Sequence, residues 1–374
     1  MRSQQIDFFR GLALIIIFID HIYNNRLGGY TLRGFGITDA AEIFFFCSGY
    51  VSAIVYSRTL QRTNFYSAQI KATKRSFFIY FFHVVSFLAL IAVTIPLSDI
   101  EGVRTVLRAR GLYEMFYISW SRGLDFFTLQ YQPFLFTILP AYIVLSLMTP
   151  FFAWLLNRSP AALFAVSISI YLTTQFFPGF NLVQGAHNGP WVFNPFAYQF
   201  LFVIGMLFAN NKDSERYIVP LRKDYFIIAI LFLITTFLMH NFLPFLYKHF
   251  QMFPSYEYLR GLPFTGKTNE EPLRIIHFLV LMYATVFLLH LLRSQHADIY
   301  SSLKSLARPI ILCGQNSIYI FTLGILLSYL GGYIIASYGN TAGVWIPVNV
   351  TGVFIMLLAG TWLSKRRQAV LKKT

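Results

Sequence analysis

The chain has 374 residues, of which 56% are hydrophobic and only 12% charged, with 41 phenylalanines and a net charge of +15. That much apolar surface has no place in a water-soluble core of this length, so the composition excludes a soluble globular protein and requires lipid as the solvent. With two cysteines, both inside apolar runs, no disulfide or metal framework is expected, and basic loops facing anionic lipid headgroups account for the positive charge without a nucleic-acid partner.

Apolar runs long enough to cross a hydrocarbon core of roughly 30 Å recur about ten times. They lie near 7–24, 39–57, 76–95, 132–156, 160–177, 195–210, 223–243, 272–292, 309–330 and 343–363. With both termini placed in the cytoplasm, inner segments collect most of the Lys and Arg, among them Arg2, Lys71–Arg75, Lys212, Arg216 and Lys365–Lys373. The outer segments, holding Arg104, Arg108 and Arg260 among others, carry fewer over a greater length, as the positive-inside rule requires. No repeat or long linker divides the sequence. The expected architecture is all-α: a polytopic transmembrane helix bundle of about ten spans, both termini cytoplasmic, forming one membrane domain over residues 1–374.

The first run, IDFFRGLALIIIFIDH, carries Arg10 and His21. Their separation is three helical turns plus about 20°, or roughly 16 Å of rise, which puts both on one stripe. Costly polar side chains in lipid usually face a cavity or partner, so the stripe is expected to look into one continuous polar passage. Two structural readings stand beside this: Arg10 snorkels to the inner interface or pairs with Asp7, and His21 sits hydrated at headgroup level. The run ends in Asp20 and His21 with no small-residue cleavage site, so it reads as a retained helix.

The second run opens with Asp39 and Glu42, three residues apart on one face. They form a capping box, or one of them orients His21 as the carboxylate does in a triad, and the readings are compatible. Asp20, on a neighbouring position that does not face His21, is expected to contact a different helix. Cys47 and Cys313 read as small apolar packing residues. His83, His240 and His290 read as packing or interfacial histidines. The inner segment after the second run is basic, with Lys71, Lys74 and Arg75.

Entry to the sixth run, HNGPWVFNPFAYQ, offers His187, Trp191, Asn194 and Gln199, an aromatic face with amide partners of the kind that holds a sugar ring. Trp191 also fits an interfacial belt. The eighth run begins KTNEEPLRIIH, with Pro272 suited to a first turn and Arg274 and His277 three apart. Gln315, Asn316 and Ser317 fall in the inner half of the ninth run, lining a passage or bridging helices.

The segments IDFFRGLALIIIFIDH, GFGITDAAEIFFFCSGY, NGPWVFNPFAYQFLFVIG and KTNEEPLRIIHFLVL resemble the OpgC family. That family comprises membrane proteins that add succinyl groups to osmoregulated periplasmic glucans. It is related to the acyltransferase 3 membrane O-acyltransferases, whose first helix carries a basic residue, ten intervening residues and a histidine, the spacing of Arg10 and His21. The resemblance implies a multi-pass protein of the bacterial inner membrane, succinyl-CoA as a donor substrate rather than a resident cofactor, and a periplasmic glucan as acceptor.

Acyl transfer from a thioester to a sugar hydroxyl needs a base, which His21 supplies, with Asp20, Asp39 and Glu42 as its companions. Arg10, Lys71, Lys74 and Arg75 are expected to draw the donor's phosphates, with Asn316 and Ser317 nearby. Trp191, Asn194, Gln199 and His277 are expected on the acceptor side. Arg274 either binds the free carboxylate of a succinyl group through two hydrogen bonds or pairs structurally with Glu270 or Glu271. A secondary transporter would share buried charges but also show repeat symmetry, and a scaffold would have no need of the Arg10 and His21 stripe.

Overall fold

The computed structural model describes residues 3–117, 121–185, 189–210, 219–250 and 265–371. His187 and the loop charges Arg2, Lys212, Arg216, Arg260, Lys372 and Lys373 lie outside them. Among the described residues the chain is an all-α bundle with seven helices long and apolar enough to cross a membrane.

Helix α1 (Gln4–His21) is capped by Ser3, whose side chain accepts from the Ile6 amide. A short turn, α2 (Leu32–Phe35), leads to α3 (Ala40–Arg62) and then α4 (Phe65–Thr94). The segment that follows α4 is not a plain loop. It folds into α5 (Glu101–Ala109), α6 (Tyr113–Tyr117) and α7 (Ser121–Phe127), because Val103, Val106 and Leu107 give α5 one apolar stripe to bury. Helix α8 (Ile138–Arg158) starts six residues later than the apolar run suggests, after Leu135 adopts a left-handed φ of 76° that no helix tolerates.

Helices α9 (Pro160–Phe176) and α10 (Pro195–Asn210) are shorter apolar helices joined through a two-residue strand pair, β1 (Val183–Gln184) with β2 (Gly189–Pro190). Next come α11 (Lys223–Phe250), α12 (Pro272–Gln295) and the exposed α13 (Ala297–Leu306). The ninth apolar run is broken into α14 (Arg308–Gln315) and α15 (Ser317–Tyr338), and α16 (Ala342–Leu371) closes the chain. The break falls at Asn316, whose amide bonds back to the Leu312 carbonyl at 2.9 Å and across to Ser364 Oγ at 2.8 Å.

Two glycine crossings bring backbones together at the centre. A Cβ at Gly314 would stand 1.8 Å from the Asp7 carbonyl oxygen, and one at Gly11 would stand 2.0 Å from that of Ile310, so α1 and α14 touch through bare backbone. Gly49 and Gly205 do the same for α3 and α10. Small residues permit this approach where lipid offers no hydrophobic drive for helix association. At the periphery, α11 and α16 bury only 11% and 17% of their apolar windows, as helices with lipid around them would. Cys47 and Cys313 are buried free thiols, and His83 is a buried ring stacked on Phe126.

Candidate active site

A helix leaves its last carbonyls without intrahelical donors, and at the end of α1 side chains take five in succession. His21 Nδ1 donates to the Ile17 carbonyl at 2.6 Å, Ser328 Oγ to Phe18 at 3.0 Å and Asn25 Nδ2 to Ile19 at 2.9 Å. Arg33 Nη1 donates to the Asp20 carbonyl at 3.0 Å and Arg110 Nη2 to that of His21 at 2.7 Å. The Arg110 guanidinium also lies 3.9 Å from the centroid of the Phe134 ring, which sits 5.3 Å from the imidazole. With its Nδ1 hydrogen committed to Ile17, His21 presents Nε2 as an acceptor. The orienting partner is therefore a backbone carbonyl and not a carboxylate, which corrects the triad-like expectation for Asp39, Glu42 and Asp20.

His21 borders a cavity of about 190 Å³ shared with Asp20, Asp39, Lys267, Phe134 and Phe193. Asp20 turns to the α2 turn: it accepts from the Thr31 hydroxyl and lies 3.7 Å from Arg33 Nε, so its partner is a local loop and not another membrane helix. Asp39 divides its oxygens. Oδ1 accepts from the Ala41 amide as the N-cap of α3, with Glu42 closing the capping box, while Oδ2 accepts from Lys267 Nζ at 2.5 Å. Burial alone would raise the Asp39 carboxyl, but Lys267 and then Arg274 outweigh it and hold the group below the ordinary carboxylate range.

Arg274, buried on the first turn of α12, pairs with the fully buried Glu42 and lies 3.7 Å from Asp39 and 3.6 Å from Glu270. Its pairing is the structural one, wider than the sequence suggests because Glu42 joins from 232 residues away. His277 shares a 2.8 Å hydrogen bond between Nδ1 and the Thr38 hydroxyl, bracing the approach to α3.

Arg10, at the other end of α1, borders a larger cavity of about 880 Å³ with Lys71, Arg75, Asn316, Ser317 and Tyr142. Its Nη2 donates to Ser317 Oγ at 2.5 Å, at the start of α15. Lys71 is steadied by Thr59 at 2.9 Å, whereas Lys74 is exposed and does not border the cavity. The two cavities share no lining residue. Between them Phe44 lies 6.0 Å under the Arg10 guanidinium, 5.2 Å from Tyr142 and 6.3 Å from Phe321, which borders the His21 cavity. The expected continuous polar passage is thus replaced by two chambers and a partition of rings drawn from α3, α8 and α15.

Trp191, Asn194 and Gln199 are buried away from both chambers. Asn194 donates to the Phe180 carbonyl and to Asn269, each at 2.8 Å, and Gln199 exchanges bonds with Ser167 at 2.7 and 2.8 Å. Buried amides need such partners, and those of Asn194 and Gln199 brace α9, α10 and their loop. Their neighbours Val192 and Phe193 border the His21 cavity instead.

Lys267, Arg110, Arg366 and Arg367 were not singled out by the sequence: the first two border or hold His21, and the last pair border the larger cavity. Each reads in sequence as an ordinary loop or tail charge. A family model described as OpgC protein matches residues 2–368, and the chain belongs to that family. No curated protein and no solved structure matches it.

Proposed function

From membership of the OpgC family, which makes the chain a multi-pass inner-membrane acyltransferase of periplasmic-glucan succinylation, we propose a two-chamber transfer across α1. In this reading the chain is a single domain of about ten spans with both termini cytoplasmic. Succinyl-CoA enters the larger chamber from the cytoplasm. Its phosphates meet Lys71, Arg75, Arg366 and Arg367 at the rim, with Arg10 deeper, beside Asn316 and Ser317. An extended pantetheine arm of roughly 15–20 Å is comparable to the rise along α1 from Arg10 to His21.

For the thioester to reach His21, the rings of Phe44, Tyr142 and Phe321 swing aside, a motion driven by the donor's preference for the open arrangement. A glucan hydroxyl approaches from the periplasm, and His21 Nε2 takes its proton as the oxygen bonds the acyl carbon. The carbon–sulfur bond breaks, and the imidazolium returns the proton to the departing thiolate. Asp39 and Glu42 act on this step by holding Lys267 and Arg274 and fixing the start of α3.

The observation that carries this reading is the placement of His21 and Arg10 at opposite ends of one helix, each bordering its own chamber. The test is acceptor-dependent thiol release in membranes supplied with succinyl-CoA and glucan. His21→Ala should lower the rate by about 100-fold or more with donor affinity retained, whereas Arg10→Ala should raise the donor KM. A His21→Ala protein that inserts normally and transfers at the wild-type rate overturns the assignment.

A further inference from the structure

The smaller chamber contains a cation that in the proposed transfer touches neither the reacting carbonyl nor the hydroxyl. Lys267 borders it together with His21, its ammonium 5.0 Å from the Phe193 centroid and its side chain 34% exposed. Asp39 accepts one of its hydrogens, and an ammonium has three to give. The other walls are mostly apolar, including Ile17, Ala41, Leu135, Ile138 and Phe321. In such surroundings a charged ligand group has a strong preference for the one point of opposite charge.

Arg274 cannot serve as that point. Its side chain is 8% exposed and is committed to Glu42, Asp39 and Glu270. Turning it to a ligand would strand the Glu42 carboxylate in a fully buried position, the costly way to break such a pair. Lys267 is the more accessible of the two cations and faces the cavity of the base.

We propose that Lys267 is the specificity-determining residue for the acyl group, receiving the distal carboxylate of a dicarboxylic half-thioester while His21 serves the reacting end. This rests on the two-chamber reading and adds to it the residue that selects the donor. Two methylenes separate the carbons of a succinyl group's two ends by roughly 4 Å, short enough for both to lie within one small chamber. Asp39 plays a positioning part: it holds the ammonium at the chamber wall. An acyl group of equal length ending in a methyl leaves the cation with nothing to bind in return for its lost hydration.

The experiment compares succinyl-CoA with butyryl-CoA, which matches it in carbon count and lacks the carboxylate, using the full-length protein in membranes with glucan as acceptor. The readout is the succinyl-to-butyryl ratio of kcat/KM. Lys267→Gln should lower that ratio by about 10- to 100-fold, chiefly through the succinyl KM, while Lys267→Arg, which keeps the charge, should hold it within about threefold. Because Lys267→Gln leaves Asp39 with one cation fewer, the double variant Asp39→Asn/Lys267→Gln removes the pair together and should show the same fall in ratio. An unchanged ratio in the folded Gln variants, or equal loss with both donors, overturns the proposal. Wild-type membranes that release no thiol with either donor would overturn the two-chamber reading itself, a result distinguishable from a lost preference.

Discussion

Arg110 donates a 2.7 Å hydrogen bond to the carbonyl oxygen of His21, across 89 residues of chain. The contact joins the helical segment after α4 to the last residue of α1 and fixes the backbone that carries the imidazole. A guanidinium at a helix C-terminus also faces the negative end of the helix dipole.

Removing that contact should misplace the base without touching the donor chamber. Arg110→Ala is expected to lower kcat by about 10- to 100-fold, since small misplacements of a reacting group carry penalties of this size. The donor KM should change little, and steady-state kinetics with varied succinyl-CoA checks both. Rates are normalised to the amount of folded protein, because partial unfolding also lowers apparent kcat with KM unchanged.

The ring partition makes a different prediction. Phe44 is 7% exposed and touches Tyr142 and Phe321, so Phe44→Ala removes the central panel. A core Phe→Ala change destabilises by about 3–5 kcal/mol, measurable as a lower midpoint in a detergent melt. With the panel gone, water gains a route between chambers, and thiol release in the absence of glucan should rise relative to the acceptor-dependent rate.

At the α1 and α14 crossing, Gly314→Ala places a methyl where the Asp7 carbonyl oxygen stands 1.8 Å away. Neither backbone can yield locally, so the helices must separate, at a cost of about 1–3 kcal/mol or more. Arg10 and Ser317 flank this crossing and share a 2.5 Å bond across it. The donor KM should therefore rise together with the fall in melting midpoint.

Glu270 supplies a pH dependence. Burial, and next the neighbouring Glu42 carboxylate, push its carboxyl well above its ordinary value of 4.5. The folded protein thus holds this proton more tightly than the unfolded chain, so the contribution to stability falls as pH rises from 4.5 toward the folded value. Glu270→Gln removes the titration and should flatten that part of the profile, with its gain over wild type larger at pH near 8 than near 5. Melts in detergent at the two pH values check the sign.

The apolar runs were legible because lipid demands long continuous hydrophobic stretches, and each of them corresponds to helix in the structure. The capping box at Asp39 and Glu42 was also legible, since its parts lie three residues apart and depend only on local backbone. The partners of the same two residues were not. Lys267 reaches Asp39 over 228 residues and Arg274 reaches Glu42 over 232, pairings fixed by how α3 and α12 pack and by nothing in either local sequence. Arg10 and His21 stand at the two ends of α1 but border separate cavities, and the rings between them come from three helices that no spacing rule connects. The amides of Asn194 and Gln199 likewise take partners from within the protein, from Phe180, Asn269 and Ser167, that no local pattern announces.

Asp39 gives one oxygen to the beginning of a helix and the other to a cation beside the base. Architecture and the proposed selectivity are therefore fastened to a single carboxyl, and neither is tuned at that position without disturbing the other. Asparagine would still cap the helix but would turn an amide toward the ammonium; glutamate would reach the ammonium but overshoot the cap. In the proposed reading, acyl preference set through this pair is altered from the lysine's side of the bond.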